Sequence, residues 1–252
     1  MFIGIDIGTS EVKVLLLAPD HRVLGSAGTA LTVQRPHPGH SEQNPQDWWT
    51  ATLSALAQLR VAHPTEFAAV QAIGLSGQMH GAVLLDAQDR ILRPAILWND
   101  TRCATECTEM MAELPSLPDL GGSLAMPGFT APKLRWVAQH EPEIFKQVAK
   151  VLLPKDYVRL MLTGEYVSDM SDASGTLWLD VQKRAWSDEL LALTGLTQAH
   201  MPRLVEGSAP GGALKADVAQ ALGLNAGIVV AGGAGDNLSL IHISEPTRLG
   251  MI

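Results

Sequence analysis

Residues 2–7 are apolar and rich in β-branched side chains, 8–10 carry glycine and hydroxyls, and 12–18 are apolar again. The pattern predicts strand, tight turn, strand. A turn at 19–22 and a glycine-interrupted strand at 23–33 follow, so the first three strands form an antiparallel meander. After a loop at 35–44 rich in Pro, Gly and His, Asn44 stands as an N-cap ahead of Pro45, with Asp47 in the first turn. Trp49, Leu53 and Leu56 recur at helical spacing, which predicts a helix with one face on the sheet, giving way near Pro64.

Further strands are predicted at 70–76, 82–86, 95–98 and 228–231, with a turn at 77–81 after the first. Helices are predicted at 101–114, 132–140, 142–150, 156–163, 187–193 and 215–222. Residues 117–129, rich in Gly, Pro and Ser, leave the main layer, and 168–178 read as turn-rich and polar. Three antiparallel strands followed by alternating helices and strands make an α/β domain with a mixed sheet flanked by helices. From Leu238 the stretch LSLIHISEPTRLGMI neither continues the turn after Asp236 nor starts the helix expected there. It resembles the translated read-through of a sequencing adapter, and no function is assigned to it.

Composition narrows the classes. The 252 residues are 46% hydrophobic and 17% charged, which fits a globular chain and argues against disorder. Lys plus Arg total 18 against 26 Asp plus Glu, and the net charge of −8 disfavours nonspecific nucleic-acid binding and docking on anionic membranes. No apolar run has the length of a membrane-spanning helix, and the opening MFIGIDIGTS lacks the basic stretch of a secretory signal. Cys103 and Cys107, four apart and without His or Cys partners, read as reduced thiols on a helix and not as a metal site. A cytoplasmic protein is expected.

Four polar turns carry the candidate chemistry. In Gly4-Ile5-Asp6-Ile7-Gly8-Thr9-Ser10, backbone N–H groups and the hydroxyls of Thr9 and Ser10 suit phosphate oxygens, and Gly8 permits close approach. Asp6 suits Mg²⁺, directly or through water, and Lys13 faces either phosphate or solvent. Neither GxxxxGK[ST] nor GxGxxG occurs, and protein-kinase signatures are absent. In the second turn, glycines bracket Gln78, Met79 and His80 just past a strand end, where α/β proteins place ligand contacts. The third presents Trp98 as an apolar wall beside Asn99, Asp100 and Arg102, which suit vicinal hydroxyls; Asn99 or Asp100 also reads as a helix N-cap. In the fourth, Gly232-Gly233-Ala234-Gly235-Asp236-Asn237, small residues let the chain pass close to a ligand and Asp236 projects as a proton acceptor.

Jointly these four motifs resemble those of the FGGY family of carbohydrate kinases. Gly128, Thr130, Lys133, Leu134, Trp136, Val137, Gln139 and His140 also stand at the spacing of that family's signature, read as mainly a structural amphipathic helix beside the cleft. The stretches QRPHPGHSEQNPQDWW, RPAILWNDTR, MPGFTAPKLRW, LLPKDYVRL and SDMSDASGTLWLD resemble bacterial members acting on D-xylulose. The resemblance implies an actin-like, ribonuclease-H-like ATPase lobe and transfer of phosphate from ATP, with Mg²⁺, to D-xylulose, giving D-xylulose 5-phosphate.

It implies Asp236 as the base on the 5-hydroxyl, Asp6 supporting Mg²⁺, and Gly8, Thr9 and Ser10 on the ATP phosphates. Met79 and His80 would line the sugar site, with Gln78, Asn99, Asp100 and Asn237 as further candidates. The glycerol kinase branch has Arg-Glu where this chain has Met79-His80, which argues for a ketose. The likeness runs from residue 1 to Asn237, so 1–237 is expected to be the N-terminal, sugar-binding lobe and 238–252 a non-homologous tail. The nucleotide lobe of the family is expected to be missing from 1–252, and the chain alone is expected not to turn over. A homodimer of the full-length protein stays open. The alternatives are a kinase for another sugar, such as ribulose, and a non-catalytic sugar-binding lobe.

Overall fold

A computed structural model describes residues 1–236 of the chain. Asn237 and the stretch from Leu238 onward lie outside the described residues. The chain opens with β1 (Phe2–Ile7), β2 (Glu11–Leu17) and β3 (Val23–Ala30), the expected antiparallel meander. Alternation buries Ile3, Ile5 and Ile7 of β1 and Val12, Val14 and Leu16 of β2 on one face, leaving Gly4, Asp6 and Lys13 on the other. A short strand β4 (Glu42–Gln43) leads into α1 (Pro45–Ala62), whose N-cap is Asn44: its side chain accepts from the Gln46 N–H at 3.1 Å. The buried stripe of α1 runs through Trp48, Thr52, Ala55 and Leu59, flanked by Trp49 and Leu56, and covers β2 and β3. Pro64 ends α1 and starts a short α2 (Pro64–Ala68).

The chain then enters the sheet centre as β5 (Ala72–Gly77), parallel to β1. Next come β6 (Val83–Leu85), β7 (Ala95–Ile96), α3 (Ala104–Glu113), α4 (Leu117–Gly121) and α5 (Thr130–His140). The predicted helix over 142–150 is corrected. Only α6 (Pro142–Phe145) is helical, and β8 (Lys150–Leu152) pairs antiparallel with β6, because buried Val151 and Leu152 find a strand partner there.

Helix α7 (Pro154–Thr163) follows, then β9 (Val167–Asp169) and α8 (Met170–Ser174). The polar segment 168–178 is thus more ordered than predicted. Ser168, Asp169 and Asp172 are buried, and the Asp169 carboxylate caps α8 by accepting from the N–H groups of Ser171 and Asp172. A hairpin of β10 (Leu179–Asp180) and β11 (Ala185–Trp186), then α9 (Asp188–Ala192) and β12 (Arg203–Val205), complete the outer layer, and β13 (Pro210–Ala213) enters the main sheet antiparallel to residues 229–231. Helix α10 (Ala216–Leu222), β14 (Val229–Ala231) and β15 (Ala234–Gly235) return to the main sheet.

The main sheet has the order β13-β14-β5-β1-β2-β3, with β15 also pairing β5, and is mixed as expected. One core fills the space between this sheet and α1, α7 and α10. A second gathers α3, α5 and α9, and β6 joins the two, with Val83 and Leu85 in the first and Leu84 in the second. No helix among the described residues is long and apolar enough to cross a membrane. Asn44→Ala is expected to lower stability by about 1 kcal/mol, read from the urea midpoint; an unchanged midpoint would deny the cap its role.

Candidate active site

The site starts from register. Asp6 of β1 stands beside Ser76 of the parallel β5 and beside Lys13 of the antiparallel β2. The Ser76 hydroxyl donates to Asp6 Oδ1 at 2.6 Å, fixing the carboxylate at the edge where β1 and β5 end. Strand β15 pairs Ala234 with Ser76 and Gly235 with Gly77, so Asp236 emerges level with the turn that carries Met79 and His80. Three turns far apart in sequence therefore meet at one sheet edge, the position where open α/β sheets bind ligands.

A cavity of about 300 Å³ opens there, lined by Met79, His80, Trp98, Met126, Gly128, Phe129 and Asp236. Its size suits one small molecule. His80 adopts a left-handed backbone (φ 65°), and its Nδ1 lies 2.7 Å from the carbonyl oxygen of Gly175. A carbonyl only accepts, so Nδ1 carries the proton and Nε2 is left as an acceptor. Burial, with the nearby Lys133 ammonium, pushes His80 down to about 4, which keeps the ring neutral. The Phe129 ring meets it edge-on, with centroids 4.8 Å apart.

The turn at 8–10 is braced from beneath. The Thr9 hydroxyl donates to Gln78 Oε1 at 3.1 Å and accepts from the Trp98 indole N–H at 3.0 Å. Gln78 Nε2 in turn donates to Gln43 Oε1 at 2.9 Å, and Gln43 Nε2 donates to the Thr9 carbonyl at 2.8 Å. Two expectations change as a result. Buried Gln78 braces this turn and does not line the cavity, and the Thr9 hydroxyl is engaged within the protein. The Gly8 N–H, expected to meet a phosphate, instead donates to the Glu11 carbonyl at 3.0 Å, and Ser10 is exposed.

Asn99 and Asp100 also change place. Asn99 is exposed and does not line the cavity. Asp100 is wholly buried and accepts from the Ser41 N–H at 2.6 Å, from Arg102 Nε at 2.9 Å and from Arg102 Nη2 at 2.7 Å. Burial opposes its charge, yet these donors keep the carboxyl below its ordinary value. Neither residue caps α3, whose N-cap position is Cys103 and has no side-chain cap bond. Cys103 and Cys107 are buried free thiols, as expected. Asn237 lies outside the described residues.

Sequence reasoning missed Met126, Gly128 and Phe129 as cavity walls; of the three, only Gly128 belongs to the motif that ends at His140. Lys133 of α5 is wholly buried, and its Nζ donates to the carbonyls of Pro127 (2.9 Å), Gly128 and Phe129 (2.8 Å). The Thr130 hydroxyl donates to the His80 carbonyl at 3.1 Å. The motif thus ties the 127–129 loop to the histidine turn as well as forming a helix. Among the described residues no cluster of three or more His, Cys, Asp or Glu is arranged to hold a metal ion.

Residues 1–241 match the model of the FGGY family of carbohydrate kinases, N-terminal domain. The chain is 58% identical over 237 residues to the xylulose kinase of Escherichia coli (strain K12), covering 94% of this chain and 48% of that one. It is 54% identical, with the same coverage, to the xylulose kinase of Klebsiella pneumoniae. It spans about half the length of the curated relatives it matches. Among solved structures it superposes on a "xyloylose kinase" from Brucella ovis with a TM-score of 0.91 at 57% identity, covering 93% of this chain and 48% of that one. A xylulose kinase from Rhodospirillum rubrum gives a TM-score of 0.91 at 31% identity, covering 94% and 49%. The expected actin-like lobe is the fold these proteins share with this chain.

By NMR the His80 ring is expected to titrate near pH 4 instead of the ordinary 6.5, as the Nδ1–H tautomer. A folded value below the unfolded one makes its contribution to stability complete above pH 6.5 and lost as the pH falls through about 4. A midpoint near 6.5 would contradict the buried, neutral assignment.

Proposed function

The chain belongs to the FGGY family of carbohydrate kinases, and on that premise we propose that residues 1–237 are the sugar-binding lobe of an enzyme that phosphorylates D-xylulose from ATP. The observation that carries the reading is the cavity at the sheet edge, where Met79, His80 and Asp236 converge beside Asp6. The substrate is argued from relatives named xylulose kinase at 58% and 54% identity. Since the chain spans half of those relatives, the remaining half would supply the nucleotide lobe and the far wall of the cleft.

In this reading the ketose enters the cavity with its carbon face against Trp98 and Phe129, while His80 Nε2 accepts a hydrogen bond from a sugar hydroxyl. Asp236 takes the proton of the 5-hydroxyl as that oxygen forms its bond to the γ-phosphorus and the bond from phosphorus to the ADP oxygen breaks. The N–H groups of Thr9 and Ser10, with the Ser10 hydroxyl, receive phosphate oxygens, Gly8 being held to the Glu11 carbonyl, and Lys13 beside Asp6 offsets their charge. Asp6 is the carboxylate whose place fits Mg²⁺, with waters and phosphate oxygens as the other ligands, and the bound ion would neutralise phosphate charge. Cys103 and Cys107, buried and not joined in a disulfide, suit the reducing cytoplasm.

In the enzyme that carries this lobe, Asp236→Ala is expected to lower D-xylulose-dependent ADP release by at least about 10²-fold, measured in a coupled assay. A variant that keeps its rate is incompatible with Asp236 as the proton acceptor. Offered side by side, D-xylulose is expected to exceed D-ribulose and L-ribulose in kcat/KM by about tenfold or more; a ribulose that wins would move the substrate to another ketose.

A further inference from the structure

Helix α7 carries two cations one turn apart, Lys155 and Arg159, both wholly buried and neither lining the cavity. Lys155 Nζ lies 2.9 Å from Asp156 Oδ1, 2.8 Å from Asp169 Oδ1 and 2.7 Å from Asp172 Oδ2. Arg159 Nη1 donates to Asp156 Oδ1 at 2.7 Å and to the Val167 carbonyl at 2.6 Å, while its Nη2 donates to the Gly232 carbonyl. Burial alone would lower the Lys155 ammonium, but Asp156, Asp172 and Asp169 hold it above its ordinary value. Burial, with the Asp156 and Asp169 carboxylates, pushes Asp172 up to about 7, and burying so many ionisable groups gains little net stability over an apolar core of the same shape. What such a cluster supplies is fixed geometry.

The geometry fixed here is that of the site's supports. Gly232 and Gly233 form the turn before β15, and Gly233 (φ 79°) runs so close to β5 that a Cβ there would overlap the Leu75 carbonyl. Arg159 grips this turn at the Gly232 oxygen. One step on, the Asp172 carboxylate of α8 is 3.1 Å from where a Gly235 side chain would begin, immediately before Asp236. The same α8 segment ends at Gly175, whose carbonyl accepts the His80 ring proton. The start of α7 also underlies the histidine turn: Pro154 stands 2.7 Å from the Cβ position of Gly81, and Lys155 Cβ stands 3.4 Å from that of Gly77.

We infer that Lys155 and Arg159 are positioning residues for the reaction: Arg159 fixes the turn at Gly232, Lys155 seats Asp172 against Gly235, and the two together set where Asp236 stands relative to His80. The inference rests on the reading of Asp236 as proton acceptor. It gives a role to the LLPKDYVRL and SDMSDASGTLWLD stretches, which no step of the chemistry uses directly. Neither cation touches substrate; both act through the backbone that presents the base.

Two near-isosteric variants test it. Arg159→Lys keeps the charge but cannot reach both Val167 and Gly232, and Asp172→Asn keeps the shape but weakens the tie to Lys155. In the enzyme that carries this lobe, each is expected to lower kcat about tenfold or more with KM for D-xylulose within about twofold, since misplacement by an ångström costs up to ~10²-fold. On the present chain, hydrogen exchange at 230–236 is expected to quicken about tenfold while β1 and α1 keep their protection. An unchanged kcat in a folded variant overturns the inference. So does a loss of protection spread evenly over β1, β2 and α1, which would make the cluster an ordinary part of the core. If Asp236→Ala itself leaves the rate intact, the base assignment fails. Exchange at 230–236 then decides whether the two cations hold the turn, and unchanged exchange overturns that as well.

Discussion

The parallel pairing of β1 with β5 sets Asp6 beside Ser76 and Ile7 beside Gly77, and β15 then pairs with the same end of β5. One register therefore brings the 8–10 turn, the Met79-His80 turn and Asp236 to a common level. A slip of one residue would turn Asp6 into the core and Ile5 or Ile7 toward the cleft. Burial of Ile3, Ile5 and Ile7 opposes that slip, so the hydrophobic face of the strand is also what aims its carboxylate.

Around this edge several buried polar groups hold the turns of the site in place. Lys133 gathers the three carbonyls of the 127–129 loop, Gln43 and Gln78 clasp the turn at Thr9, and Lys155 with Arg159 underpins the Asp236 turn. Burial pushes Lys133 down to about 8, so its ammonium is maintained at neutral pH against a real desolvation cost. Removing one partner from any of these sets would leave a buried group without its bonds, a larger loss than the net value of the bonds themselves. Rigid walls follow, and a phosphoryl-transfer site works chiefly through position and charge.

Local signals carried much of the fold. The period-two strands, the Asn44 cap with Pro45, and the strand-then-turn placement of Met79, His80 and Asp236 all depend on neighbours a few residues away. The errors have a common cause in partners distant along the chain. Gln78 looked like a ligand group, yet it is matched by Gln43, Gly8 and Thr9. Asp100 looked like a sugar contact or a cap, yet Ser41 and Arg102 take up its oxygens. The 168–178 segment read as turn-rich and polar, whereas Lys155 draws Asp169 and Asp172 inside. Met126 and Phe129 are ordinary apolar letters, and only the fold of the 117–129 excursion brings them to the cavity that His80 also lines.

The central claim is that the cavity between Met79, Met126 and Asp236 takes a ketose. Methionine-methyl NMR of this chain during titration with D-xylulose tests it where it lies, even for weak binding by one lobe. The account predicts saturable shifts confined to the Met79 and Met126 methyls, with none on addition of glycerol. Silent Met79 and Met126 signals, or equal shifts at methionines remote from the cavity, would contradict it.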